Sequence, residues 1–224
     1  MALTDPVDIY CERLDPGFWA EPLNAASNIA FIAAALIGAA MLLRRGSRDV
    51  DLWLLVALTA AVGVGSFLFH TFATVWAGLA DTIPIWIFVA VFVAVAMRRY
   101  FAMSALRIAF TFAVLIAAGY GYALVAPDTE PGAAPVLNGS LQYAPAVIAQ
   151  WSFVLALHRA RHPAFGWVAA SALVFLVSLV FRTLDIAVCE AFPAGTHFAW
   201  HILNGTMIAL LLAGIILHGR PAPR

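Results

Sequence analysis

The stretch Thr196-His197-Phe198-Ala199-Trp200-His201 places two imidazoles at positions i and i+4. Residues so spaced lie on one face of a helix, one turn apart. They can share a metal ion, as the histidines of H-x-x-x-H motifs share zinc. From His201 to Leu217 the chain is mostly apolar, so the pair opens a segment suited to a bilayer, where an ionisable group is costly and marks function. Ser66 and His70 repeat the i, i+4 spacing earlier in the chain, and Asp81 comes eleven residues after His70. His70, His197 and His201 offer three nitrogen ligands and leave a fourth position open, the pattern of catalytic rather than structural zinc. Zinc in such a site lowers the pKa of its water to about 7 and polarises a carbonyl. Three neutral imidazoles leave the ion's charge uncompensated in an apolar setting, and the Asp81 carboxylate answers that need. Asp81 is also suited to take and return a proton. The Ser66 hydroxyl is suited to donate to an oxyanion as a carbonyl becomes tetrahedral.

The rest of the chain must position these groups in a membrane. Of its 224 residues, 64% are hydrophobic and 11% charged, far more apolar than a soluble domain. The chain therefore reads as an integral membrane protein. Formal net charge is zero, which gives no argument for nucleic acid. There is no lysine, which excludes a seven-helix retinal protein with its Schiff-base lysine. The acidic start, with Asp5, Asp8, Glu12 and Asp15 around Arg13, lacks the positive end and apolar core of a signal peptide. Apolar spans are expected at Pro22–Leu43, Leu52–His70, Leu79–Met97, Ala105–Val125, Leu141–Leu157, Phe165–Leu184 and His197–Leu217, each near the roughly 20 residues a bilayer requires. The segment from Pro127 to Ser140 reads as a loop, with Asp128, Glu130 and several prolines and glycines.

Seven spans put the termini on opposite sides. Arg44, Arg45, Arg48, Arg98, Arg99, Arg107, Arg159, Arg161, Arg220 and Arg224 fall on one side; Arg13 stands alone on the other among the acids. The positive-inside rule places the N-terminus outside and the C-terminus in the cytoplasm. The expected architecture is an all-α integral membrane seven-helix bundle over residues 22–219, with an acidic exoplasmic segment, 1–21, and a short cytoplasmic tail, 220–224. The host membrane is then a bacterial inner membrane or an organelle membrane, with the active site on the exoplasmic side. In this topology Glu21, Asn24, Asn28, Ser66, His70, Asp81, Asp185, His197 and His201 share the outer leaflet, while the inner halves of the spans are almost purely apolar. That convergence carries more than any single motif. His158, His162 and His218 read as interfacial polar residues, and Trp19, Trp53 and Trp167 as interfacial anchors. Ser66 also fits a small-residue packing face with Gly63 and Gly65. Asp185 either caps its helix end or pairs with Arg182. Cys11 and Cys189 lie on the same side, so one bridge is possible.

The order Asp8-Ile-Tyr-Cys-Glu12, Glu21-Pro-Leu-Asn24-Ala-Ala-Ser-Asn28, Ser66-x-x-x-His70, Asp81, Leu184-Asp185-x-x-x-Cys189-Glu190 and His197-x-x-x-His201 resembles the alkaline ceramidase family of seven-span zinc amide hydrolases. Serine, histidine, aspartate and the paired histidines are shared with the wider superfamily of adiponectin-receptor-like and hemolysin III-like proteins; the Cys-Glu and Glu-Pro-x-Asn stretches point more narrowly to ceramidases. The resemblance implies that His70, His197 and His201 bind zinc, that Asp81 is the acid/base and that Ser66 stabilises the oxyanion. It implies a second metal, calcium, held near the N-terminus by Asp8, the Tyr10 carbonyl, Glu12, Asp15 and Glu21, since calcium wants six to eight oxygens. It also implies a Cys11–Cys189 disulfide. The expected activity is zinc-dependent hydrolysis, within the membrane, of ceramide or a related N-acyl sphingolipid to a long-chain base and a fatty acid. The rival expectation is a lipid-responsive receptor or sensor of the adiponectin-receptor type with a structural zinc; the acidic segment argues against it. A metal transporter would line both leaflets with polar groups, and the apolar inner halves speak against that.

Overall fold

The computed structural model describes residues 2–125 and 136–220. The described residues are mostly helical and contain no strand. The helices are α1 (Pro22–Ser27), α2 (Ile29–Arg44), α3 (Val50–Phe72), α4 (Val75–Phe101), α5 (Ala105–Val125), α6 (Ala144–Arg159), α7 (Phe165–Leu184) and α8 (His197–His218). Among the described residues, six helical stretches are long and apolar enough to cross a membrane, α1 and α2 counting as one and α6 counting together with the 3-10 stretch Val136–Tyr143. The described apolar part of α5, Ala105–Gly121, is shorter than the others. The loop residues Asp128 and Glu130, and Arg224, lie outside the described residues.

The helices pack as a bundle in which α3 lies against α4, α7 against α8, and α2 between α3 and α8. The core is apolar: Phe31, Leu55, Phe88, Leu157, Val168, Leu212 and Ile215 are among its buried members. Helix α5 touches α4 and stays at the periphery.

Several boundaries differ from those expected, each for a local reason. The first span breaks at Asn28, whose side-chain amide donates back to the carbonyls of Asn24 (2.9 Å) and Ala25 (3.4 Å). An amide that competes for backbone carbonyls interrupts a helix. Helix α4 starts at Val75 rather than Leu79, because the N-terminal segment supplies the acceptors its first turn lacks. The Val75 and Trp76 N–H groups donate to the carbonyls of Asp5 (3.1 Å) and Leu3 (2.9 Å). Asp81 therefore sits two turns inside the helix. The expected fifth span is α-helical only from Ala144; Val136–Tyr143 form a 3-10 turn in which Leu137, Asn138 and Gly139 have positive φ. Arg182 holds that turn, donating to the Asn138 carbonyl and lying over the ring of Tyr143 at 5.4 Å. It makes no ion pair with Asp185.

Glycine decides one helix contact. A Cβ at Gly65 would run into the Ala80 carbonyl and sit 3.2 Å from the Asp81 Cα. That carbonyl has no helical donor, because Pro84 lies four residues on and has no N–H. The bare Cα lets α4 close on α3, which brings Asp81 beside Ser66.

Candidate metal centre

Helix α3 delivers His70 in its last turn, and α8 delivers His197 and His201 in its first two turns. All three are almost fully buried. Their ligand nitrogens lie within 4.8 Å of one another, and among the described residues they are the one group of three or more His, Cys, Asp or Glu side chains that closes this tightly.

The outward nitrogens of two of the rings are already committed. His70 Nδ1 lies 2.5 Å from Glu21 Oε2. His201 Nδ1 lies 2.8 Å from Ser27 Oγ, and that hydroxyl donates its own proton to the Asn24 carbonyl at 2.8 Å. A hydroxyl that has donated can only accept, so His201 carries its proton on Nδ1. A carboxylate likewise only accepts, which puts the His70 proton on Nδ1. The two Nε2 lone pairs then face each other at 3.2 Å. Two such acceptors repel unless a cation lies between them. Two nitrogens at about 2.0–2.1 Å from a tetrahedral metal stand roughly 3.3–3.4 Å apart, so the spacing fits an ion. His197 Nδ1, by contrast, is buried with no hydrogen-bond partner. The donor set therefore fits a divalent metal held by His70, His197 and His201.

Glu21 and Ser27 are partners that orient a ligand, a role that usually fixes tautomer and ring angle. The sequence alone assigns that role to neither, although both lie in the Glu21–Asn28 stretch quoted for the family resemblance. Burial alone would push the Glu21 carboxyl up; hydrogen bonds from His70, Asn24 and Arg13 outweigh it and hold it below the ordinary carboxylate range. Ser27→Ala is expected to lower metal affinity about tenfold or more with little change in fold, measured by competition against a chelator.

Asp185 reaches this centre by an unexpected route. It neither caps its own helix through its side chain nor meets Arg182. Its Oδ1 accepts from the backbone N–H of Thr196 (2.7 Å) and His197 (2.9 Å), and its Oδ2 from Cys11 N–H (3.1 Å). It thus caps α8, the helix after its own, and pins the N-terminal segment to it. Gly195, at φ +62°, makes the turn that allows this; a Cβ there would collide with Asp185 and come within 2.6 Å of the Cys11 Cβ. Cys11 and Cys189 are joined in a disulfide with their Cα atoms 5.5 Å apart. Tyr10, next to Cys11, stacks its ring on His197 with centroids 3.8 Å apart. Burial pushes its phenol well above the usual range, so it stays protonated.

Ser66 and Asp81 stand beside the histidines. Ser66 Oγ lies 3.4 Å from His201 Nε2. Asp81 Oδ1 is buried without a hydrogen-bond partner. Below them runs an apolar cavity lined by Phe31, Ile85, Phe88, Tyr143, Trp200 and Met207 among others. Phe31, one of the lining residues, also packs edge-on to His201, with ring centroids 6.3 Å apart.

The profile of the ceramidase family matches residues 11–219, nearly the whole chain. The chain belongs to the ceramidase family. Compared with individual curated proteins it has no significant match. Membership implies an amidase and points to ceramide as its substrate.

The calcium set implied by the resemblance is a different matter for this ceramidase family member. Asp8, Glu12, Asp15 and Glu21 form no second cluster among the described residues. Asp8 is exposed. The Tyr10 carbonyl accepts from Arg13 N–H at 3.4 Å. Both Glu12 oxygens cap α1, accepting from the N–H groups of Leu23 (2.7 Å) and Asn24 (2.8 Å). Asp15 Oδ1 accepts from Gly17 N–H at 2.6 Å. Glu21 is turned inward to Arg13 and His70. These oxygens do not fit a calcium ion.

Proposed function

We propose that this protein is a zinc-dependent amide hydrolase that works within the membrane, cleaving ceramide or a related N-acyl sphingolipid to a long-chain base and a fatty acid. The observation that carries this reading is the facing pair of Nε2 lone pairs on His70 and His201, 3.2 Å apart and beside a buried carboxylate. Zinc, when bound, supplies a Lewis acid that activates water and polarises the amide carbonyl.

The chain's own residues do the rest. His70 and His201 present Nε2 inward because Glu21 and Ser27 hold their Nδ1 protons. Asp81 Oδ1, with no protein donor, accepts the proton that the attacking water gives up. It passes that proton to the amide nitrogen as the C–N bond breaks, so the base leaves as an amine and the acyl carbon keeps the water oxygen. The Ser66 hydroxyl, beside His201 Nε2, donates to the carbonyl oxygen as charge gathers there. Tyr10 closes the outer side over His197. The apolar cavity takes a hydrocarbon chain and keeps bulk water from the reacting carbon.

In this reading α5 completes a seven-span bundle. The face carrying the histidines, the disulfide and the acidic segment is exoplasmic, and the arginine-rich ends are cytoplasmic. Purified protein incubated with a fluorescent ceramide should release labelled fatty acid, and a zinc chelator should stop it. The proposal fails if zinc-loaded protein leaves ceramide intact, or if hydrolysis proceeds unchanged under the chelator.

A further inference from the structure

Arg13 is the one base in the acidic N-terminal segment, yet it is only 7% exposed. Oxygen surrounds its guanidinium. Nε donates to Glu21 Oε1 at 2.6 Å. Nη1 donates to the carbonyls of Asp15 (3.2 Å) and Gly17 (3.4 Å). Nη2 donates to the carbonyl of His70 at 3.0 Å. One carboxylate and three carbonyls gathered around a positive charge is the kind of donor set a loop offers to a hard cation. Here the charge is covalent. A guanidinium cannot be deprotonated in a protein, so the positive charge in this cage does not depend on pH. The carbonyl of His70 lies in the last turn of α3, where it lacks a helical donor and where a cation is favoured.

We propose that Arg13 is a built-in cation that takes up Glu21, one of the carboxylates the resemblance assigns to calcium: it fixes Glu21 against His70 Nδ1 and makes the metal centre independent of calcium. Arg13 is a positioning residue. It touches none of the reacting groups and acts through Glu21, one of whose oxygens it holds while the other holds His70. It also ties the Asp15–Gly17 turn to the end of α3, so the N-terminal segment is seated by the same group that orients the ligand. A carboxylate gripped at Oε1 cannot rotate away from the imidazole; without the grip it gains that freedom, and His70 loses its fixed tautomer.

The inference rests on the hydrolase reading only in calling the metal zinc. Three measurements test it. Thermal melting of the purified wild-type protein should be the same in calcium and in a calcium chelator; a higher melting temperature with calcium overturns the proposal, and this needs no variant. Arg13→Ala should bind zinc about ten- to a hundredfold more weakly, read by competition with a chromogenic chelator; unchanged affinity overturns it. Added guanidinium should restore that affinity and urea, its neutral isostere, should not; equal restoration by both would mean that shape and not charge matters, and would overturn it. If the wild-type protein hydrolyses no ceramide, the proposed activity falls while these readouts stand. If calcium raises the melting point, the reverse holds.

Discussion

Replacing His197 by alanine is expected to strip the protein of the zinc proposed for its three histidines. Three nitrogens converge within 4.8 Å, and removing one leaves His70 and His201, too few to hold the ion tightly. The fold should survive, because the link from this position to Asp185 runs through the backbone N–H, which alanine keeps. The lost stacking of Tyr10 on the imidazole costs about 1 kcal/mol, a small fraction of a domain's stability. Elemental analysis should therefore fall from near one zinc per chain to near none in a protein that still purifies folded. Ceramide hydrolysis should fall to the level of chelator-treated wild type. Unchanged zinc content in the variant would refute the ligand assignment outright.

Asp81→Asn tests the chemistry apart from the metal. Asparagine matches the shape of aspartate, so the close approach of α4 to Gly65 is kept. The three imidazoles are untouched, so the zinc should stay. What is lost is the proposed proton carrier, and such a loss lowers turnover by about 10²–10⁴-fold. The contrast between retained zinc and lost kcat is the signature. A variant that hydrolyses ceramide at the wild-type rate would exclude Asp81 as the proton carrier.

Much of the helical scaffold is legible in the sequence because it is written in long apolar runs with charged ends. Helix α7 begins and ends at the expected Phe165 and Leu184, and α8 begins at His197. The meeting of His70 with His197 and His201 is legible too, since all three lie at the same end of their spans. What stays hidden depends on irregular chain with no period to read. Glu21 reads as an acid at the outer end of the first span and, by the resemblance, as a calcium ligand; it turns inward to His70 and is buried with Arg13, eight residues earlier. Ser27 meets His201 from the turn just before the break at Asn28, a contact that no spacing in the sequence announces. Asp185 reaches forward past its own helix to the next, across a connection whose Gly195 turn leaves no mark beyond one glycine. A clue to the first of these is present in the chain: a lone arginine amid acids, close before a glutamate at a span's start, asks where its partner is.

The position of Asp185 has an electrostatic consequence. The amino end of a helix carries the positive pole of its dipole, equivalent to about half an elementary charge. A cation ligated from the first two turns of α8 is therefore placed against the field of the helix that holds it. Fully buried Asp185, accepting from the N–H groups at that pole, reverses the local sign. The carboxylate that starts the helix is thus also the countercharge for the doubly positive ion proposed to rest at the wrong end of it.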